Sequence, residues 1–121
     1  MEFKLLNCVH CGNIAFKIID KGPQLVCCGQ KMEELQPGAT DASKEKHVPH
    51  VVYDDGKATI TIGEVEHPML SEHHIEFIAA LSDETLTIKY LKPGDAPKLE
   101  CSAKADVTAY ENCNLHGFWK G

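Results

Sequence analysis

No stretch of the chain repeats its apolar positions at helical spacing; short runs rich in β-branched residues recur instead. "IAFKII" and "QLV" flank a turn at Lys21-Gly22-Pro23. Further on, "HVVY" and "ATITIGEV" are separated by "DDGK", a hairpin signal. "HHIEFIAAL" places Ile75, Phe77, Ala79 and Leu81 on one face of a strand, and "ETLTIKYL" does the same for Leu86, Ile88 and Tyr90. "KPGDAP" breaks the pattern before "KLECSAKA" and "DVTAYE". Six or seven short strands punctuated by turns predict an antiparallel β-sandwich. "LQPGATDASKEK" has no apolar period and reads as a linker or long loop from about Gln36 to Lys46. The boundary is placed at 37/38: residues 1–37 are too few for a core of their own and need a staple, and residues 38–121 form the sandwich.

Composition narrows the partners. Apolar residues make up 43% of 121, enough for a core, while a net charge of -6 argues against nucleic acid. No apolar run approaches a membrane span, and the start, "MEFKLLNCVHCG", shows no secretory pattern, so the expected compartment is the cytoplasm. Six cysteines there point to metal ligation rather than disulfides, and seven histidines strengthen that reading.

The staple is "CVHCG" followed by "VCCG". Cys8 and Cys11 form a knuckle relieved by Gly12, and Cys27 and Cys28 supply two more thiolates for a tetrahedral iron or zinc. Neighbours on an extended strand point to opposite faces, so Cys27 and Cys28 can share one ion only if the backbone bends sharply, which Gly29 permits. A distorted tetrahedron is expected. His10, inside the knuckle, is read as an exposed loop residue.

A second cluster has wider spacing. "KEKHVPH" offers His47 and His50, "EHPMLSEHH" offers His67, His73 and His74, and "CNLHGFW" offers Cys113 and His116. Either of His47 and His50 can serve, and only one of the neighbours His73 and His74 should face a common point. Cys101 reads as a core thiol, and Phe118 and Trp119 as a cap beneath the last loop. Two metal chemistries fit a sandwich carrying His and Cys. Blue copper wants a Met shortly after the last His, and none follows His116; the other is iron held by several imidazoles and one thiolate.

Taken together, "CVHCGN…VCCGQKM", "KEKHVP", "EHPM…HHI" and "CNLHGFW" resemble the desulfoferrodoxin family, two-iron superoxide reductases, across essentially the whole chain. The resemblance implies a small desulforedoxin-like (rubredoxin-like) domain and an immunoglobulin-like sandwich. It implies two iron ions: one on Cys8, Cys11, Cys27 and Cys28, the other on His47, His67, His73 and His116 with Cys113 as axial ligand. It implies a mobile pair, Glu45 and Lys46, in which Lys46 supplies positive charge and orders a proton-delivering water and Glu45 can close the open position. His50 departs from the family, which more often has an apolar residue there. The implied activity is one-electron, two-proton reduction of superoxide to hydrogen peroxide, with re-reduction by a rubredoxin-like donor and a homodimeric assembly. Ferrous iron with one thiolate and four neutral imidazoles is net positive and attracts an anion even on an acidic protein. The thiolate pushes electron density toward the position opposite it. The alternative is a non-catalytic iron or copper electron carrier.

Overall fold

The computed structural model describes residues 3–38, 47–63, 67–82 and 84–121. Glu45 and Lys46 lie outside the described residues. The chain divides into two compact units, Met1–Gln36 and Pro37–Gly121.

The first unit is built from very short strands. β1 (Leu5–Asn7) pairs antiparallel with β2 (Ile14–Phe16) on one side and β5 (Glu33–Glu34) on the other, and β3 (Val26–Cys27) forms a hairpin with β4 (Gln30–Lys31). The run "IAFKII" stops being strand after Phe16. Lys17 Nζ turns to Asp20 and to the Pro23 carbonyl, and Ile18 and Ile19 are left exposed. Phe3, Leu5, Cys8 and Met32 are buried, and Phe3 stacks on Phe16. So few apolar groups offset little of the cost of ordering the chain.

The second unit holds β6 (Pro49–Asp54), β7 (Lys57–Ile62), β8 (Ile75–Ser82), β9 (Thr85–Tyr90), β10 (Lys98–Ser102), β11 (Thr108–Cys113) and β12 (Gly117–Lys120). One antiparallel sheet runs β10-β7-β6, the other β12-β11-β8-β9. Ile60, Ile62 and Leu99 of the first sheet pack with Ile75, Ile78, Ala80 and Ala109 of the second, which makes a sandwich around one core. In the "DDGK" hairpin, Tyr53 faces Ala58 and Asp54 faces Lys57, and Asp55 and Gly56 both have positive φ, as a type I′ turn demands.

The reading of β8 needs correction. Ile78 and Ala80 face the core, while Phe77, Ala79 and Leu81 alternate to the other side. Ile75 nevertheless joins the core. Phe77 pairs with Asn112 and Ile75 with Cys113, so Glu76 is an extra residue and the bulge resets the alternation. The registers Leu81↔Leu86, Ala79↔Ile88 and Phe77↔Tyr90 put the apolar positions of β9 on that outer side too. The expected cap at Phe118 and Trp119 is itself a strand, β12, with both residues buried.

Candidate metal centres

The four N-terminal cysteines converge. Their sulfurs all lie within 4.8 Å of one another. The first knuckle closes through two backbone bonds, Gly12 N–H to the Cys8 carbonyl and Cys8 N–H to the Asn13 carbonyl, both 2.9 Å, with Gly12 at φ +84°. The second pair resolves its geometric conflict by leaving the strand. Cys27 ends β3, and the loop to β4 is Cys28-Gly29, with φ of 54° and 74°. Cys28 itself, not only Gly29, takes the left-handed conformation that turns two adjacent thiols to one side. The Cys11 and Cys27 sulfurs stand 3.5 Å apart. That is far beyond a disulfide bond and near the edge of a tetrahedron with metal–sulfur bonds of about 2.3 Å. Asn13 Nδ2 donates to the Cys27 sulfur at 3.6 Å, and His10, still exposed, meets Gln30 across the two ligand loops. Without a metal the thiols cannot ionise alike. The Cys11 N–H, with further bonds behind it, lowers Cys8 to about 6, whereas the neighbouring thiols, Cys11 first, push Cys28 up to about 12. A divalent cation removes that conflict by stabilising all four thiolates.

The second group forms where the sandwich places four histidines in a ring. Neighbouring ring centroids are 4.7 Å apart for His47–His67, 4.8 Å for His67–His73, 4.9 Å for His73–His116 and 4.9 Å for His116–His47. Each pair meets edge to face, so the four imidazoles close a square. His47, His67, Cys113 and His116 also bring their donor atoms within 4.8 Å of one another; the ring contacts add His73. His47 Nε2 and His116 Nδ1 are 3.1 Å apart. Two adjacent nitrogens on one ion, each bonded at about 2.1 Å, would be about 3.0 Å apart. Cys113 Sγ lies 3.9 Å from His116 Nδ1 and is almost wholly buried.

Surrounding bonds decide which nitrogen each ring turns inward. His67 Nδ1–H donates to the Pro68 carbonyl at 2.7 Å, leaving Nε2 buried with no hydrogen-bond partner among the described residues. A buried imidazole nitrogen without a partner is costly unless something else binds it, and this donor set suits iron. His47 Nδ1 hydrogen-bonds Glu111 Oε2 at 3.0 Å, the carboxylate–histidine pairing that orients metal ligands. Glu111 was not singled out from the sequence. Its only sequence signal was an acidic residue at an inward-facing strand position two before Cys113. Burial pushes its carboxyl up to about 9 and, with the nearby imidazoles, takes His67 down to about 4; burial also raises the Cys113 thiol. His67 is thus already the neutral ligand a metal requires, whereas the Cys113 thiol and the Glu111 carboxyl need the cation's charge to ionise.

Trp119 stiffens two corners. Its ring stacks on His47 at 5.0 Å and 10°, and its Nε1–H donates to the His116 carbonyl at 3.1 Å. Of the histidines the sequence left open, His47 and His73 stand in the ring of four. His74 Nδ1 bonds the Leu70 carbonyl at 3.0 Å, outside the ring of four. His50 is exposed on β6 opposite Thr61. Cys101 is half-buried on β10, against the core as expected.

A family model described as Desulfoferrodoxin matches residues 39–121. A desulfoferrodoxin from Nitratidesulfovibrio vulgaris is 45% identical, the match covering 98% of this chain and 95% of that protein. A desulfoferrodoxin homolog from Archaeoglobus fulgidus is 42% identical over 97% of this chain and 94% of its own length. Among solved structures, the superoxide reductase from Treponema pallidum superposes with a TM-score of 0.76 at 27% identity, covering 99% of this chain and 97% of that one. The four-cysteine group and the square of imidazoles with its thiol match a family with two iron centres. With more than half its length matched by the family model and close relatives across nearly all of it, the chain belongs to the desulfoferrodoxin family.

Proposed function

We propose that this protein is a superoxide reductase, converting superoxide, one electron and two protons to hydrogen peroxide. The observation that carries the reading is the closed square of His47, His67, His73 and His116 with the Cys113 sulfur beside it. Iron held by His47, His67, His73, His116 and Cys113 would supply the one-electron couple. The chain's own residues do the rest. Four imidazoles add no charge, so the centre stays net positive and draws an anion. Glu111 and Pro68 fix the inward nitrogens of His47 and His67, and Trp119 holds His47 and the His116 backbone in place.

Glu45 and Lys46 precede His47 directly in sequence, which supports their assignment as the loop pair: Lys46 guides the anion and orders a proton-delivering water, and Glu45 would close the site after turnover. Residues 1–37 are assigned as the four-cysteine iron domain and residues 38–121 as the catalytic sandwich. The compact units support this division, meeting one residue earlier at Gln36/Pro37. A rubredoxin-like protein is the proposed donor, and a homodimer the proposed assembly, since the small unit exposes Ile18, Ile19 and Val26. Six unpaired cysteines suit the reducing cytoplasm.

Anaerobically purified, iron-loaded protein supplied with a reductant should consume superoxide catalytically and yield peroxide without evolving oxygen. Oxygen release would make it a dismutase, and inertness toward superoxide would leave an electron carrier.

A further inference from the structure

The second centre requires two separate stretches of chain to meet in register. One is the Leu70–His74 loop, which carries His73; the other is Cys113–His116. The first is closed on itself by Leu70 N–H to the His73 carbonyl at 2.9 Å and His73 N–H to the Leu70 carbonyl at 3.2 Å. Those bonds shape the loop, but they do not fix it against the thiol. The β8–β11 pairing reaches Ile75 and Cys113, but its register has just shifted across the bulge, where Asn112 Nδ2 donates to Glu76 Oε1 at 2.8 Å, so the regular ladder ends before His73.

Asn114 bridges the gap. Its backbone N–H donates to the His74 carbonyl at 3.1 Å. Its side-chain Oδ1 accepts from the His74 N–H at 2.9 Å, and its Nδ2 donates to the Glu72 carbonyl at 3.1 Å. The partners dictate the amide's orientation, because a backbone N–H needs an oxygen and a carbonyl needs an N–H. All three bonds therefore land on the residues immediately before and after His73, from a residue immediately after Cys113 and two before His116.

We infer that Asn114 is a positioning residue, which locks His73 into register with Cys113 and His116 and so completes the ligand set. This rests on the metal-centre reading of the function. Asn114 acts mainly through His73, its Oδ1 also lying 4.0 Å from the Cys113 Sγ, and an amide of this length satisfies both backbone groups. Alanine loses both bonds. Aspartate keeps an acceptor for the His74 N–H but sets an oxygen against the Glu72 carbonyl.

The test compares iron-loaded, full-length wild type with Asn114→Ala and Asn114→Asp. The readouts are the sulfur-to-iron charge-transfer band of the oxidised second centre and the rate at which that iron is lost to a chelator. The absorption of the four-cysteine iron in the same chain reports that the protein is intact. In Asn114→Ala the second-centre band should shift, and iron should leave on the order of 10- to 100-fold faster, with the four-cysteine spectrum unchanged; Asn114→Asp should fall between. An alanine variant with wild-type band and release rate overturns the inference. If alanine does not fold, an aspartate variant with wild-type behaviour overturns it equally. A wild type that takes no iron at the second centre, or leaves superoxide untouched, sinks the functional reading instead, and is told apart because it needs no variant.

Discussion

His47 is held on three sides: Glu111 at Nδ1, His116 beside Nε2 and Trp119 across its ring. Lone histidines beside strands are common and seldom ligands; what distinguishes this one is that both ring nitrogens have a partner or neighbour. Cys113 is the same kind of case. Its burial makes ionisation unfavourable unless a cation lies beside the sulfur, so its charge state and the metal are coupled. Cys113→Ser should abolish the sulfur-to-iron charge-transfer absorption of the oxidised second centre and leave the bands of the four-cysteine iron intact, as visible spectra of the two proteins would report. An unchanged spectrum would remove Cys113 from the ligand set.

At the scale of elements, small departures from regular strand geometry place the ligands. The left-handed Cys28-Gly29 turn brings adjacent thiols to one side. The bulge at Glu76 carries Ile75 into the core beside the His73–His74 loop. β12 lays Trp119 beside His47, and Gly38 sits against it: Gly38 N–H donates to the Phe118 carbonyl at 2.7 Å. A Cβ at Gly38 would sit 2.8 Å from two atoms of the Trp119 ring. That ring cannot easily yield, because His47 and the His116 carbonyl hold it. Gly38→Ala should therefore cost about 1–3 kcal/mol, the usual penalty for overpacking. Denaturant unfolding of the iron-loaded protein measures that loss, and the second-centre spectrum should shift while the four-cysteine spectrum does not.

On the scale of the whole molecule, the two units are stabilised differently. Pro37–Gly121 closes a sandwich around a continuous apolar core, whereas Met1–Gln36 has few buried side chains and four thiols in place of one. Stripping both irons with a chelator under reducing, denaturant-free conditions should unfold the first unit and leave the second folded. Amide exchange would show the split: loss of protection confined to residues before Pro37, with β7, β8 and β11 still protected. Global loss would mean that the sandwich also depends on its metal. The net charge of -6 does not oppose an anionic substrate, because field strength near the centre is set by close charges rather than by the total.

Much of this was legible in the linear chain because ligand chemistry is local. Cys8-x-x-Cys11, the adjacent Cys27 and Cys28, Cys113-x-x-His116 and the "DDGK" turn carry their meaning in a few residues. Alternation likewise announced strands and a sandwich. The choices between His47 and His50, and between His73 and His74, are different in kind. On sequence they rested on resemblance alone, since nearby imidazoles have the same chemistry and differ only in where the backbone aims them. Which of them stand in the ring of four is visible only in the tertiary structure, which turns His74 to the Leu70 carbonyl and leaves His50 exposed on β6. It also set Phe77, Ala79 and Leu81 of β8 on the face away from Ile75, because a single extra residue in a ladder reverses every face beyond it. Glu111 and Asn114 carry little signal in the linear chain for the same reason: a carboxylate or an amide gains its role only from the groups that folding brings to it across long stretches of chain.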